Sequence, residues 1–336
     1  MVSMRDVAIA CGVSVATVSK AINNHSDISE ETKAMIRKKA KDMGYFPNSS
    51  ARALKTNRSY NLGVLFVDQG RSGLTHDYFA AVLDAFKVTA ESKGYDITFI
   101  NCSKTRKERM SYLEHSRYRG LDGVVIACVD FYDPEVVELV NSDIPVVTID
   151  HVFNDRICVT SDNIGGMQDI VRYVAGKGHR KIAYVHGDDT AVTRARLTSF
   201  YKTMEECGLP INDDYVIESK YRDTKLAAEI TNRLLDSKNP PTCILYCDDF
   251  SAIGGLNAMK ARGLHVGEDI SIAGYDDIVL AAQLEPRLTT IHQDTCKMGS
   301  AAAECLINMI EKPKTTLIEQ VVVPGWLIEG ASVGNV

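Results

Sequence analysis

No window of this chain of 336 residues reaches the ~18 consecutive apolar residues of a membrane-crossing helix. The opening stretch, residues 1–14, holds an apolar run too short for the core of a secretion signal. A cytoplasmic protein with no membrane partner is therefore expected. Nine cysteines are scattered with no CxxC spacing, and Cys243 and Cys247 have no second Cys or His pair to complete a tetrahedral zinc site. An odd, dispersed set reads as buried free thiols of a reducing compartment. No GxGxxG follows a strand-like run, and no GxxxxGK precedes Ser or Thr, which leaves nucleotide cofactors without support. The eight histidines form no HExxH. Neither a cofactor, nor a metal, nor enzymatic activity is expected.

What is present is ordinary globular material, 45% hydrophobic and 24% charged, enough for a sizeable core. The length suits two or three domains. The net charge of −6 is unevenly spread. Residues 1–58 hold ten Lys/Arg against five Asp/Glu, a net +5, and the remainder holds 28 against 39, a net −11. A small basic head on an acidic body fits nucleic-acid binding by the head alone, because phosphate neutralisation is local.

The head reads as a helix-turn-helix. Val7, Ala8 and Cys11 fall on one helical face, with Asp6 near the positive start of that helix. Gly12 supplies a left-handed stop, Val13 plugs the turn, and Ser14 is placed to cap a second helix from Val15 to about Asn23. On it Val18 and Ile22 point inward, leaving Val15, Ala16, Ser19 and Lys20 outside. Small first-turn residues with a cation one turn later suit a helix entering the major groove end-first. A third helix is expected from Ser29 to near Met43, its Met35, Ile36 and Ala40 closing a three-helix core before Gly44 and Pro47 end it. Residues 50–56 give one more short helical stretch, too short to be stable alone. It reads as a linker that orders when two copies meet in the minor groove, where the apolar Leu54 can part a base step.

From Tyr60 onward short apolar runs alternate with amphipathic stretches. A first series covers 62–67, 95–100, 123–127 and 144–149, and a second covers 181–185, 243–247, 270–274 and 288–291. Strands without strict alternation, separated by helices, argue for two doubly wound parallel-sheet lobes. Ligands of such sheets collect at the carboxyl ends of strands. Asp68, Asp150, Asp248, Asp249, Asp276 and Asp277 all follow such runs. A neutral polyol needs acceptors of this kind, a forked donor such as Arg196, and an aromatic face that Tyr78, Phe79 or Tyr221 can provide. Any one of these acids can equally be a helix cap, and each ring a core or rim aromatic. The adjacent acids at 248–249 and 276–277 diverge too much to chelate a metal.

The stretch from Ser3 to Leu54 resembles the LacI/GalR family of bacterial transcription regulators. The matching elements are DVA at 6–8, GVS at 12–14, TVSKAIN at 17–23, GY at 44–45 and PNSSARAL at 47–54. The resemblance implies Val15, Ala16 and Lys20 as base readers, and Ser3, Ser14, Thr17 and Asn23 as phosphate anchors. It implies Arg52 and Leu54 as minor-groove contacts of a hinge. Lys20 stands where arginine is common, a point charge in place of a fork. The body matches more loosely, through HDYF (76–79), SDNIGG (161–166), GHRKIAYVHG (178–187), RLTSF (196–200), CDD (247–249), GYDD (274–277) and LTTIHQD (288–294). That implies a fold similar to periplasmic sugar-binding proteins, with Asp150, Arg196, Tyr221, Asp248 and Asp276 as effector contacts. Two departures stand out: a long loop at 68–77, and Glu329 where the family often has arginine.

The expected organisation is a helix-turn-helix domain over 1–46, a hinge over 47–59, and an effector-binding and dimerisation domain over 60–336. Its first lobe would take about 60–160 and 291–321, and its second about 161–290 and 322–336. The expected function is a repressor of carbohydrate-utilisation genes, bound to a pseudo-palindromic operator and released by a small sugar. No leucine heptads follow the last strand-like run, so a twofold homodimer is expected. A nucleobase or a protein corepressor in the same fold stays open as an alternative. An α/β enzyme with a DNA-binding head, or a plain sugar-binding protein, is less well supported.

Overall fold

Three serines set the pattern of the N-terminal unit. Ser3, Ser14 and Ser29 each sit in extended backbone just ahead of a helix and accept an amide hydrogen bond from the third helical residue. The helices are α1 (Met4–Cys11), α2 (Val15–Ile22) and α3 (Glu30–Asp42). Gly12 ends α1 at φ +66°, a conformation that costs glycine nothing. Val7, Ala8, Val18, Ala21, Ile36 and Ala40 form the core, with Val13 and Ile22 packed at its edge. Met35, expected inside, is 46% exposed. It directly precedes Ile36, which takes the inward position on α3, and Lys33 takes another, buried with its ammonium 2.7 Å from Glu30. This computed structural model describes residues 2–46, 58–68, 73–100 and 109–336, so Arg52 and Leu54 lie outside the described residues.

Residues 1–60 and 61–336 form two compact units. The larger begins with β1 (Asn61–Phe66), α4 (Asp77–Ser92), β2 (Asp96–Phe99), α5 (Tyr112–Tyr118), β3 (Gly123–Ala127), α6 (Pro134–Val140), β4 (Val146–Ile149) and β5 (Ile157–Ser161). The chain then builds a second layer set from α7 (Asn163–Gly176), β6 (Ile182–His186), α8 (Ala191–Glu206), β7 (Val216–Glu218), α9 (Thr224–Leu235), β8 (Cys243–Tyr246), α10 (Asp249–Ala261) and β9 (Ser271–Ala273). It returns through β10 (Thr290–His292) to α11 (Thr295–Glu311) and β11 (Gln320–Val323), and crosses once more into β12 (Trp326–Ile328).

One sheet has the order β11-β5-β4-β3-β1-β2 and the other β7-β6-β8-β9, and every pair in both is parallel. β3, β4, β5 and β8 are buried along their whole length, as strands covered on both faces must be. The expected run at 288–291 does not join the second sheet. Its residues enter β10, which pairs antiparallel with β12 in a separate ribbon, Thr290 opposite Ile328 and His292 opposite Trp326. Four strands went unread in the sequence: β5, β7, β11 and β12. Two are only three residues long, and β11 alternates exposed and buried positions at a sheet edge.

The eight described cysteines are all free, as expected, but only Cys158, Cys243 and Cys247 are buried, and Cys296 is exposed. In the first lobe α11 packs along α4, where Gly299 brings the backbones together: a Cβ there would fall 2.1 Å from the carbonyl oxygen of Val82. Gly299→Ala should therefore destabilise the body by about 1–3 kcal/mol, read as a lower urea midpoint with an unchanged slope.

Candidate functional site

Two sites can be built, one on each unit. In the head, the cap bonds fix the pose of α2. Thr17 N–H donates to Ser14 Oγ at 3.0 Å, and the two hydroxyls lie 2.8 Å apart. Asn23 donates through its side-chain amide to the Ser19 carbonyl at 2.7 Å. Ser3 forms a capping box with Asp6, its amide donating to the carboxylate at 2.8 Å. Val15, Ala16 and Lys20 are all exposed on α2, while Lys20 is ion-paired to Asp27, a partner the sequence reading did not foresee. The hydrogen bond from Lys20 holds the Asp27 carboxyl below its usual range.

In the body, the polar residues gather at the carboxyl ends of parallel strands, Asp150 after β4 in one lobe and Asp248 and Asp276 after β8 and β9 in the other. At the centre lies Arg196, on α8 and only 3% exposed. Its Nε donates to Asn163 Oδ1 at 2.7 Å, its Nη1 donates to the Cys247 carbonyl at 3.0 Å, and its guanidinium lies 3.5 Å from the Tyr275 ring centre. Nη2 has no hydrogen-bond partner among the described residues.

Around it the acids differ in what they have left to offer. Asp150 accepts from Tyr78 Oη at 3.0 Å on one oxygen and from Thr160 Oγ1 at 3.1 Å on the other. Burial raises its pKa, against the hydrogen bonds from Tyr78 and Thr160. Asp248 caps α10 and accepts from Ser251 N–H at 2.7 Å, Ser251 Oγ at 3.1 Å and Arg222 N–H at 2.8 Å. Both of its oxygens are thus committed to protein donors. Asp276 accepts from Gln293 on Oδ1 at 2.6 Å and keeps Oδ2 uncommitted among the described residues. Burial pushes its pKa to about 7, Arg196 pulling it down and Asp248 pushing it up.

The expected aromatic residues are brought to the same region. Tyr221 meets Thr193 through their hydroxyls at 2.8 Å, and Phe79 lies edge-on to Tyr78 with ring centres 4.9 Å apart. Asp68 instead accepts from the Gly73 amide at 3.0 Å. Asp249 is buried, taking Thr290 Oγ1 at 2.7 Å and the Ile278 amide at 2.9 Å. Asp277 pairs with His292 at 2.8 Å, and His292 stacks on Trp326 beside the lobe crossings.

Sequence reasoning missed Asn163, Tyr275, Gln293 and Arg222 as members of this site. The first three lay inside motifs already singled out, SDNIGG, GYDD and LTTIHQD, so the signal was present and unused. For Arg222 no sequence pattern pointed to the cleft. Five non-glycine residues at or near it, Cys128, Asp150, Arg222, Asp276 and Asp277, hold positive φ. Such strain clusters where the surrounding structure dictates a side chain's position.

A helix-turn-helix unit joined in one chain to a two-lobed body with a polar interlobe cleft defines a ligand-responsive DNA-binding regulator. Comparison with known proteins makes the class specific. Residues 3–48 match the bacterial regulatory proteins of the lacI family, and residues 171–333 match a periplasmic binding protein-like domain. The HTH-type transcriptional repressor PurR of Haemophilus influenzae (strain PittEE) is 31% identical over 314 residues, covering 92% of this chain and 91% of that protein. PurR of Pasteurella multocida (strain Pm70) is 29% identical over 316 residues, 93% of each. The fold is that of the Lac repressor dimer bound to operator and the anti-inducer ONPF, at TM-score 0.83 and 23% identity over 98% of both chains. It is also that of the transcriptional regulator CelR–cellobiose complex, at TM-score 0.70 and 22% identity over 99% of this chain and 100% of that one. The chain belongs to the lacI family of bacterial regulatory proteins, and it is a DNA-binding transcription repressor. Among the described residues no helix is long and apolar enough to cross a membrane, and no group of acids, histidines and cysteines is placed to hold a metal.

The raised pKa of Asp276 has a thermodynamic sign. An acid whose folded-state pKa lies above its unfolded value of ~3.9 favours folding most below that value, and the benefit is lost as pH rises through about 7. The thermal midpoint of the ligand-free protein should fall between pH 5 and pH 8, and it should fall less in Asp276→Asn.

Proposed function

We propose that the chain is a dimeric repressor that a small polyhydroxy effector, a sugar, releases from a pseudo-palindromic operator. The observation that carries this reading is the pair of uncommitted groups at the cleft, the Nη2 donor of a buried Arg196 and the Oδ2 acceptor of Asp276. A donor beside an acceptor is what a vicinal diol requires, since each hydroxyl both gives and takes a hydrogen bond. Tyr221 and Phe79 supply apolar ring surface for the C–H side of such a ligand. Asp150 and Tyr78 serve as its fixed wall, and Asp248 acts through the residues that it positions. Support also comes from proteins of the same fold whose structures hold sugars, the CelR–cellobiose complex and a regulator from Enterococcus faecium with bound ribose.

In the head, Val15, Ala16 and Lys20 read bases in the major groove. Ser3, Ser14, Thr17 and Asn23 hold phosphates, and Lys20 exchanges Asp27 for DNA on binding. Arg52 and Leu54 enter the minor groove from the hinge. Effector binding closes the lobes on each other and disfavours the arrangement in which two hinges meet. A coupling of ~1–3 kcal/mol between ligand and operator changes affinity about 5–150-fold.

A nucleobase is the second reading, and one observation favours it. With a pKa of about 7, Asp276 can donate as well as accept at its free oxygen, which suits the mixed edge of a heterocycle stacked on Tyr221. Thermal shift with a panel of sugars and a panel of nucleobases separates the two, because a ligand of the folded state raises the midpoint.

Arg196→Ala should abolish the effector's influence on operator binding while ligand-free binding in a mobility-shift assay stays at the parent level; a variant still released at parental effector concentration removes the assignment. Leu54→Ala should weaken binding to a symmetric operator about tenfold or more, with ligand affinity unchanged by calorimetry. Equal operator affinity in variant and parent removes the wedge.

A further inference from the structure

We infer that Arg222 is a latch across the interlobe cleft, and that its ion pair with Asp77 holds the lobes closed over the bound effector. This rests on the reading of the cleft as the effector site. Arg222 follows β7 in the second lobe, and Asp77 is the first residue of α4 in the first. Its Nη1 donates to Asp77 Oδ2 at 3.0 Å, and its Nη2 reaches the Thr75 carbonyl at 3.5 Å. The side chain of Arg222 is only 18% exposed, whereas that of Asp77 is 54% exposed.

Three features aim this guanidinium. The residue holds φ +62°, left-handed backbone that an arginine adopts at a cost of roughly 1–2 kcal/mol unless its surroundings impose it. Its amide donates to Asp248 Oδ2 at 2.8 Å, which ties the strained turn to the cap of α10. Its guanidinium lies 4.0 Å from the ring centre of Phe250, the second residue of that helix, which restricts the long side chain before it meets its partner. A pre-ordered arginine loses less entropy on pairing than a free one. Asp77 in turn stands in the first turn of α4, where a carboxylate is favoured by the helix dipole.

The latch is coupled to the cleft through one peptide. The turn that projects Arg222 across the lobes also places Tyr221 against Thr193 at 2.8 Å. A ligand that orders Tyr221 therefore orders the latch, and release of the latch loosens the ring. A second contact from lobe to lobe, Arg194 Nη2 to Tyr132 Oη at 3.3 Å, involves an arginine 49% exposed and shared with Asp189. Its geometry is less fixed, so Arg222 carries the closure. Arg222 acts through the turn it shares with Tyr221 and is a positioning residue.

The test needs no ligand. Cys128, at the carboxyl end of β3, is partly buried in the closed body, whereas Cys296 is exposed. Iodoacetamide labelling of the full chain, followed by peptide mapping, reports opening at Cys128 with Cys296 as the internal reference. Arg222→Gln and Asp77→Asn should each raise the Cys128 rate about two- to fivefold, the range a partly exposed pair supports, and leave Cys296 unchanged. The double variant should exceed neither single one, since both remove the same bond. Parental rates in both single variants, or a double effect equal to the product of the two, would overturn the latch. Asp77→Asn alters one atom of a half-exposed residue, so the experiment stands even if Arg222→Gln unfolds. The effector reading is tested separately by Arg196→Ala, whose failure leaves the labelling result unaffected.

Discussion

The body is organised around a charge that should not be comfortable where it is. Arg196 is buried, and an isolated guanidinium in that position would cost several kcal/mol in lost hydration. Its compensation comes from three different parts of the chain: Asn163 at a lobe crossing, the Cys247 carbonyl at the end of β8, and the Tyr275 ring at the end of β9. Each partner is useful only if the strand or helix bearing it ends in the right place. The demand of one cation for partners thus fixes the strand ends that form the cleft, and it leaves one donor over for something that enters from outside.

The same region holds much of the backbone strain of the body. Asp150, Arg222, Asp276 and Asp277 have positive φ, and each is bonded or paired through its side chain to another element. A strained residue held by a hydrogen bond from elsewhere has two arrangements rather than a continuum, because release of the bond lets the backbone relax. That is the physical requirement for a switch. The ribbon of β10 and β12, with His292 stacked on Trp326 and paired to Asp277, sits where the chain passes between the lobes.

The head was legible almost in full, because helix caps, a glycine stop and a spacing of four are local signals. Ser14, Gly12, Val18 and Ala40 behave as their neighbours in sequence demand. Met35 was misplaced because pattern alone does not say which of two adjacent apolar residues on α3 turns inward, and Ile36 does. In the body most buried strands announced themselves, while the short strands β7 and β12 did not, and neither did the fully buried β5, whose run ends in Thr160 and Ser161. The run at 288–291 was assigned to the wrong sheet for a related reason. An apolar stretch shows that a strand is buried, not which partner it finds.

The sequence by itself determined the two kinds of unit, the exposed face of α2, and the acids that follow the strands, since each is a matter of residues near one another in the chain. Which acid keeps a free oxygen was decided only in three dimensions. Asp248 and Asp276 look alike on paper, yet one is consumed by Ser251 and Arg222 and the other is left open beside Gln293. Arg222 meets Asp77 across 145 positions of sequence. No periodicity can encode such a pairing, because it depends on how two separately folded lobes approach, and that approach is set by packing at the crossings rather than by either residue.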